Sequence, residues 1–579
     1  MTTVADEKAP AQAVLEHDEH GYRDDDLQKC NTFTDQANAL AYKGDDSDGK
    51  IAWTVKSALA MCFLAALYTA SMIMLYFTGA ALSYIEKDLG AANTGTWLPV
   101  SNTLAIAAVA PFVGYLQDLL GRRYITLAGS VVIMAGLAIT GSAKTFGAGV
   151  GGMAMCGAGA AVCELTALAG ISDIVPVKHR GTFLALMIVM LLPFTPYVLY
   201  AQLLSSRSTW RWCMWISLIY NGVVFLGLLF TYFPKAHPRM AGVTKRNVLK
   251  QIDYVGAVLS IVGLTIFLVA LQAGGYSHPW TSAYVLSQLI VGIVLILAWV
   301  VWEWKFAKWP MIPRQLFQGQ HTVALSFFVA FVAGINFYSL INFFPLTFST
   351  VYNPDPVEIG LKGLGYGISV TSGAMFFGAL LSVKNLHCRW PIATASALMT
   401  AFGGALATAT PYNAKQTVAL GTIAGFGVGG ILVPAATLAL IVVPDSLLAT
   451  TAALSLSVRT VGGSIGYTVY FNIFNKKITA ALPAYVASAV VGAGLPEADV
   501  TEFVTTFLGA EGAAASLSDV PGYTAAIAEA ATMASRSAYA YAFKYVWYTS
   551  IPFGCLAVIA ALFLPSIRKF QTNRVAVTL

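Results

Sequence analysis

Fourteen apolar stretches limit this chain to a membrane fold more strongly than any other feature of its sequence. A membrane-spanning α-helix needs about 20 predominantly apolar residues, and hydrophobic residues make up 57% of the 579 residues, whereas charged residues make up only 11%. The pattern predicts an all-α polytopic membrane protein with fourteen transmembrane helices and both termini on one side. The stretches are centred on residues 57–80, 96–115, 124–142, 148–170, 182–203, 212–233, 254–273, 282–302, 321–345, 363–383, 391–409, 417–441, 451–473 and 546–565.

The basic residues are distributed unequally between the two sets of loops that connect these stretches. The loops after even-numbered stretches, together with the segment after the last one, contain seventeen Lys and Arg residues, and the other loops contain ten. Because Lys and Arg accumulate on the cytosolic side of membrane proteins, this bias predicts that both termini lie in the cytosol. The net charge of +6 combines −7 in residues 1–50 with +13 in the remainder, so the acidic residues are concentrated in a tail.

The order of the apolar stretches divides the chain into regions. Residues 1–54 contain few large apolar side chains, which predicts a disordered, acidic cytosolic tail. Residues 55–233 and 321–565 are each predicted to form a six-helix bundle, and residues 234–320 are predicted to be a linker that contains an inserted pair, the seventh and eighth spans. Residues 566–579 are predicted to form a second cytosolic tail.

One connection in the second bundle is much longer than the others. Residues 475–545 are rich in Ala and Gly, carry scattered acidic residues and lack a sustained apolar run. This composition predicts a long extracellular loop, whose Ala-rich part is able to form surface helices.

A short polar turn, GYLQDLLGRR at residues 114–123, separates the second and third stretches. It fits the pattern G-x-L-x-D-x-x-G-R-[RK], in which most fixed positions are small or charged residues. An ordinary basic loop between two spans is the alternative interpretation. The motif residues are Gly114, Asp118, Gly121, Arg122 and Arg123.

This motif resembles the signature loop of the major facilitator superfamily of membrane transporters. The resemblance implies the major facilitator fold, with two six-helix bundles that alternate access to a central site and a cytosolic gating loop that latches them together. It further implies that Asp118 binds the N-terminus of the thirteenth span, near Thr450 and Thr451, in the outward-facing state and releases it in the inward-facing state. The partial positive charge and unpaired N–H groups of a helix N-terminus suit a carboxylate.

Two strongly ionisable residues lie well inside predicted spans, Glu164 in the fourth and Arg459 in the thirteenth. A charged group in the middle of a bilayer costs roughly 3 kcal/mol or more and therefore persists only when it is paired or functional. Both residues lie roughly 10 to 12 Å from the cytosolic ends of their spans, counted at the helical rise per residue. Two hypotheses follow. Glu164 takes up and releases a proton during transport, or it forms a permanent ion pair with Arg459 or separate hydrogen bonds to neighbouring helices.

Aromatic and amide side chains inside the spans are candidates for the wall of a substrate cavity. Amide side chains that face lipid would lack hydrogen-bond partners, and an aromatic pocket with a few amides suits a bulky, largely apolar, oxygenated ligand. Ordinary packing between helices is the alternative for each of them. The candidates are Tyr68, Tyr76, Tyr197, Tyr200, Gln202, Asn336, Tyr338, Asn342 and Phe343.

Longer segments resemble the fungal fourteen-span group that includes trichothecene efflux pumps and, more distantly, siderophore-iron transporters. This resemblance implies proton-driven export of a toxic, bulky amphipathic metabolite or drug across the fungal plasma membrane, with the vacuolar membrane as the alternative location. The segments are GAGAAVCELTALAGISDIVPVKHRG (157–181), GINFYSLINFFPLTFSTVYNPDPVEIGLKGLG (334–365) and RTVGGSIGY (459–467).

Two departures from the pattern of proton antiporters leave the direction and coupling of transport open. Met153 stands where many antiporters carry an arginine in the fourth span, and the glycine-proline pattern of the fifth span is degraded around Thr195 and Pro196. Two other functions therefore stay open: uptake of a siderophore-iron complex by proton symport, and a non-transporting membrane sensor.

The sequence contains neither a cluster of catalytic residues nor the G-x-x-x-x-G-K-[ST] loop that binds ATP phosphates. None of the seven cysteines falls in a predicted outer loop, which argues against disulfides and a metal site. We therefore predict a monomeric secondary transporter rather than an enzyme. Its predicted partners are a small molecule, protons and the lipid bilayer, without a cofactor, metal or nucleic acid.

Overall fold

Helices make up most of the residues that the computed structural model describes, which are 53–90, 94–234, 252–313, 316–317, 321–352, 355–383, 386–509 and 522–576. These residues form fourteen long helices and no strand, so the predicted all-α fold is confirmed. The helices are α1 (Val55–Ala80), α2 (Trp97–Leu120), α3 (Arg122–Ser142), α4 (Phe146–Ile174), α5 (Val177–Arg207), α6 (Arg211–Thr231), α7 (Tyr254–Ala273), α8 (Ala283–Phe306), α9 (His321–Tyr352), α10 (Pro356–Leu380), α11 (Arg389–Thr408), α12 (Ala414–Val442), α13 (Leu448–Gly492) and α14 (Ala525–Leu562).

Thirteen of these helices are long and apolar enough to cross a membrane, and α13 is the exception within the described residues. The thirteenth predicted span lies in the first half of α13, where Arg459 and many Gly, Ser and Thr residues lower the mean hydropathy. This half is nevertheless buried, because α13 packs against α2, α4, α9 and α14. Polar residues inside a helical bundle can form hydrogen bonds with neighbouring helices instead of facing lipid.

The long helices pack as two groups and one additional pair. Helices α1–α6 pack mainly against one another, as do α9–α14, and the two groups meet where α2 packs on α13 and α5 packs on α10. Helices α7 and α8 pack against each other, and α7 also contacts α2 and α13, whereas α8 is largely exposed. This is the predicted arrangement of two six-helix bundles with an inserted helix pair.

Of the tails predicted at residues 1–54 and 566–579, residues 1–52 and 577–579 lie outside the described residues.

The connection predicted as a loop at residues 475–545 is largely helical. Ala-rich segments lack the continuous apolar run of a membrane span, but Ala has the highest helix propensity, which accounts for the extended helices. Val486, Phe503 and Ile527 from these helices are buried together in a small apolar cluster. The helical parts are α13 as far as Gly492, a helix at Val500–Gly509 and α14 from Ala525, while residues 510–521 lie outside the described part of the chain.

Gly157 allows α4 to approach α2 closely. A Cβ atom at this position would lie 2.2 Å from the carbonyl oxygen of Asn102, a backbone atom that cannot rotate away. The Asn102 side chain also donates a hydrogen bond from Nδ2 to the carbonyl oxygen of Met153 on α4, at 3.3 Å. A small residue at a helix crossing lets the two backbones pack together in this way.

We expect Gly157→Ala to lower the thermal stability of the protein, because overpacking a well-packed site costs about 1–3 kcal/mol. The measurement is the unfolding midpoint of the purified protein. Gly151→Ala on the same helix is the matched control, since no atom lies within 4 Å of a Cβ built there. Equal midpoints for the two variants would show that α2 and α4 do not cross as closely as described.

Candidate functional site

Asp118 connects the last turn of α2 to the first turn of α13. Its Oδ1 accepts a hydrogen bond from the backbone N–H of Ala449 at 3.1 Å, and its Oδ2 accepts from the N–H and the hydroxyl of Thr450 at 2.8 and 2.7 Å. Because α13 begins at Leu448, these N–H groups lack partners within the helix and form the positive end of its dipole. The contact predicted for Asp118 is therefore present, and we call this end of the molecule the latch face.

The two motif glycines shape the turn around Asp118. Gly114 lies against α13, where a Cβ atom would come within 2.3 Å of the Cβ of Ala453. Gly121 has a φ of 88°, a conformation that glycine adopts without steric cost. A side chain at the first position would separate the two helices, and one at the second would strain the turn.

The two motif arginines bind different helices. Arg122 forms an ion pair with Asp173 in the last turn of α4, and its Nη2 lies 3.9 Å from Oδ1 of Asp118. Arg123 donates a hydrogen bond to the carbonyl oxygen of Leu229 on α6 at 3.0 Å. The motif thus fixes α2 and α3 to α4 and α6 while its carboxylate reaches α13.

A second group of charges joins the two helix bundles at the latch face. Arg180, near the start of α5, donates hydrogen bonds from Nη2 to Oδ1 of Asp445 at 3.1 Å and from Nη1 to the carbonyl oxygen of Leu440 at 2.7 Å. Asp445 lies between α12 and α13, and its Oδ2 is 3.1 Å from Nε of Arg574, which follows α14. Asp445 therefore holds one arginine from the first bundle and one from the C-terminal segment.

The segment after α14, residues 566–576, lies across the latch face, and we call it the C-terminal strap. The side chain of Gln571 donates a hydrogen bond to the carbonyl oxygen of Leu381, at the end of α10, at 2.8 Å. The strap thereby contacts the second bundle, and its backbone also forms three hydrogen bonds with the first. These are Val177 N–H to Arg574 O, Lys178 N–H to Thr572 O and Ala576 N–H to Asp173 O, each at 3.1 Å.

Glu164 and Arg459, which the sequence places at equal depth, form an ion pair in the structure. Oε1 of Glu164 on α4 accepts a hydrogen bond from Nη2 of Arg459 on α13 at 2.5 Å, and both side chains are almost completely buried. The hydroxyls of Tyr68 and Tyr338 lie beside the Arg459 guanidinium. Because α4 and α13 belong to different bundles, the pair connects the two halves of the molecule in its interior.

A cavity of about 80 Å³ lies between the bundles, on the side of this ion pair that faces away from the latch face. Its aromatic wall includes Tyr76 and Tyr197, whose ring centroids are 4.9 Å apart. Tyr338 lines the cavity and also lies beside Arg459, so it stands between the cavity and the ion pair. The described lining carries no Asp, Glu, Lys, Arg or His and consists of Leu75, Tyr76, Gly79, Ala80, Leu82, Thr96, Pro99, Val100, Thr103, Tyr197, Gln272, Tyr338, Ile341, Asn342, Pro345, Gly463, Ser464 and Tyr467.

A family model described as "Fungal trichothecene efflux pump (TRI12)" matches residues 24–579. The chain belongs to this efflux pump family. It is thus a transporter of the major facilitator superfamily and not an enzyme. It is 27% identical over 541 residues to the MFS-type transporter prx5 of Penicillium rubens, which covers 90% of this chain and 93% of that protein.

Two further known proteins are similar to this efflux pump family member. It is 23% identical over 518 residues to the trichothecene efflux pump TRI12 of Fusarium sporotrichioides, covering 87% of this chain and 85% of that protein. The crystal structure of the human organic anion transporter MFSD10 aligns with 88% of this chain and 98% of that chain, at 12% identity and a TM-score of 0.48.

Of the nine residues that the sequence predicts for a substrate cavity, four line the cavity between the bundles of this efflux pump family member, namely Tyr76, Tyr197, Tyr338 and Asn342. Tyr68 does not line the cavity but lies beside the buried ion pair. The four positions on α1, α5 and α9 thus lie together on one wall of this cavity.

The other four candidates do not line this cavity and make different contacts. Tyr200 points outward and is 39% exposed. Gln202 donates a hydrogen bond to the carbonyl oxygen of Ala80 at 2.7 Å, and Asn336 accepts one from the Tyr470 hydroxyl at 3.0 Å within the second bundle. The Phe343 ring packs in the core of the second bundle, among the rings of Tyr467, Phe474 and Phe543.

Sequence reasoning missed the opposite wall of the cavity. Gln272 lies at the end of α7, in the inserted pair that the sequence assigns to a linker between the bundles. Its amide within an otherwise apolar run is the signal that could have revealed it, since such a group needs a polar neighbour inside the membrane. The other missed polar residues are Thr96, Thr103, Ser464 and Tyr467.

Proposed function

We propose that this chain exports a bulky, neutral, amphipathic secondary metabolite across the plasma membrane in exchange for protons. The observation that carries the proposal is the buried Glu164–Arg459 ion pair, which joins the two bundles between the cavity and the latch face. The family and relatives whose printed names describe efflux pumps support the direction, and the basic loops support a cytosolic latch face.

The arrangement corresponds to a state in which the cytosolic half of the transporter is closed. Asp118 holds α13, Arg180 holds Asp445, and the C-terminal strap bridges both bundles. The cavity lies on the other side of these contacts, and its volume of about 80 Å³ is well below the roughly 300–1,000 Å³ of drug-sized ligand sites. Transport therefore requires the bundles to separate, first at one face and then at the other.

Protonation of Glu164 is the step that we propose couples this movement to the proton gradient. Ionised Glu164 neutralises Arg459 and keeps α4 against α13. A proton that arrives through the outer cavity removes this attraction, which lowers the cost of separating the bundles on the cytosolic side. Release of the proton to the cytosol restores the pair after the substrate has entered from that side. Each cycle thus moves a proton inward and a metabolite outward.

The lining of the cavity favours a neutral ligand. None of the described lining residues carries a full charge, and tyrosine rings alternate with hydroxyl and amide groups. A permanent charge on the ligand would lose its water without gaining a counterion there, which is costly. Because every part of this proposed path lies within one chain, we propose that the monomer is the working unit.

The test is accumulation of a labelled trichothecene and of a labelled ferric siderophore in yeast that lacks its own pumps, with and without a protonophore. Export predicts low accumulation of the toxin, which the protonophore raises to the level of cells without the transporter. Higher accumulation of the siderophore would reverse the proposed direction. Unchanged accumulation of both would reject this substrate class.

We expect Arg574→Ala to open the latch face more often, because it breaks the ion pair with the buried Asp445 carboxylate, and a loss of about 1.4 kcal/mol from the closed state raises the open fraction tenfold. A Ser457→Cys reporter, buried where α13 contacts α2, should then react about tenfold faster with an impermeant thiol reagent applied to the latch face of a cysteine-free background. Lys569→Ala is the control, because that side chain is exposed and lies over the ring of its neighbour Phe570. Equal labelling rates in both variants would exclude a gating role for the strap.

A further inference from the structure

Gln272 brings the inserted helix pair into the transport cavity. It lies in the last turn of α7, and its side chain donates a hydrogen bond from Nε2 to the carbonyl oxygen of Ser464 on α13 at 2.9 Å. The side chain is almost buried and lines the same cavity as Ser464. The pair that otherwise packs at the edge of the molecule thus contributes a polar group to the ligand space.

The turn between α7 and α8 fixes this position against both bundles. On one side Trp97 of α2 donates a hydrogen bond from Nε1 to the Ser277 hydroxyl at 3.2 Å. On the other side Trp280 donates to Oδ1 of Asn472 on α13 at 3.1 Å, and Asn472 donates to the carbonyl oxygen of Gly274 at 3.2 Å. Gln272 is therefore held in place by its own turn and not only by its contact with α13.

Two polar atoms at this wall have no hydrogen-bond partner among the described residues. Oγ of Ser464 is buried and has no hydrogen-bond partner among the described residues. Oε1 of Gln272 also accepts no hydrogen bond from a described residue, whereas Nε2 of the same amide is used, and unlike Oγ of Ser464 this oxygen is not fully buried. The Ser464 hydroxyl is costly to leave unpaired because it is buried, and a ligand that supplies the missing partner removes this cost.

We propose that Gln272 and Ser464 form a subsite that binds a hydroxyl group of the transported molecule. The Gln272 amide oxygen accepts the hydrogen bond of the ligand hydroxyl, and the Ser464 hydroxyl donates to the ligand oxygen. The inserted pair is then part of substrate recognition rather than a spacer between the bundles. This subsite rests on the proposed function, because it assumes that the cavity is the place where the transported molecule binds.

The ligands for the test are a trichothecene with free hydroxyls and its fully acetylated derivative, which has lost every hydroxyl donor. Their affinities are measured on the purified protein from the rise in unfolding midpoint with ligand concentration. We expect Gln272→Met and Ser464→Ala each to weaken binding of the hydroxylated ligand about three- to tenfold, the range of one neutral hydrogen bond. For Gln272→Met, affinity for the acetylated ligand should change less than about twofold, because that ligand offers the amide oxygen no donor.

Two comparisons separate this subsite from general damage. Gln288→Met makes the same substitution on α8, away from the cavity lining, and should leave both affinities unchanged. Ser464→Ala retains the backbone carbonyl that accepts from Gln272, so its effect does not depend on loosening α7.

The outcomes also distinguish the subsite from the function on which it rests. If both cavity variants keep the wild-type ratio of the two affinities, the subsite is rejected. It is rejected as well if neither ligand raises the unfolding midpoint of the wild-type protein. If the ratio changes as expected but the protein drives no proton-dependent export, the subsite stands and the proposed function fails.

Discussion

Replacing Glu164 by Gln is expected to remove the dependence of export on the pH gradient. A Gln side chain is neutral in both conformations, so the variant can neither take up a proton from the outside nor restore the ion pair to Arg459. Coupling free energies between two binding sites are typically about 1–3 kcal/mol, and we therefore expect gradient-driven transport to fall by about 5- to 150-fold.

The measurement is uptake of labelled substrate into inside-out vesicles with an acidic interior, in which the proposed cytosolic latch face is exposed to the medium. Wild-type uptake should rise as the imposed gradient increases. Uptake by the Glu164→Gln variant should remain at the level seen without a gradient. Initial uptake rates are measured at several internal pH values. The ratio of these rates gives the dependence of transport on the pH gradient, independently of the amount of protein in each preparation.

A matched double variant separates proton coupling from structural damage. Glu164→Gln alone leaves the Arg459 charge buried without its carboxylate, and breaking a buried pair in this way costs roughly 3–5 kcal/mol. Glu164→Gln combined with Arg459→Gln removes both charges and should recover much of the protein abundance. If the pair is only structural, the double variant also recovers the response to pH. If Glu164 carries the proton, the protein is abundant but the response stays absent.

The ion pair and the latch could be predicted because charge is rare in this chain. Glu164 and Arg459 stand alone inside apolar spans at the same depth, so few partners were available to either. Asp118 sits in a turn of fixed spacing that resembles a known signature, and the helix end that it binds follows from the order of the spans. In both cases an unpaired charge inside the membrane is costly, so each charged residue has only a small number of possible partners.

The cavity was harder to predict because its walls depend on which face each helix presents. Asn336 and Asn342 are six residues apart on α9, yet one binds Tyr470 in the second bundle and the other lines the cavity. An amide or aromatic residue inside an apolar run shows no preferred face, since every side of a buried helix meets other helices. Gln272 was missed for a different reason, because the order of spans does not show that α7 reaches α13.

Asp118→Asn is expected to lower turnover about tenfold or more while it leaves most of the protein in the membrane. The carboxylate accepts from two N–H groups and one hydroxyl at the positive end of α13. An Asn side chain keeps one acceptor oxygen, loses the negative charge and turns an N–H group toward other donors. Hydrogen bonds to charged groups are each worth roughly 1.5–3 kcal/mol, so the closed latch should lose more than a factor of ten in stability.

Two measurements on the Asp118→Asn variant, labelling rate and abundance, distinguish a role of Asp118 in gating from a role in folding. The Ser457→Cys reporter should react at least about tenfold faster from the latch face in the Asp118→Asn background, because α2 and α13 separate more often there. Asp88→Asn is the control, since that carboxylate pairs with Arg211 at 2.7 Å in the short helix Leu82–Leu89, at the end of the molecule away from the latch face. Equal losses of abundance and turnover, with unchanged labelling, would leave Asp118 only a role in folding. Faster labelling with normal abundance would mean that the carboxylate sets how long the cytosolic half stays closed, and hence how often each transport cycle begins.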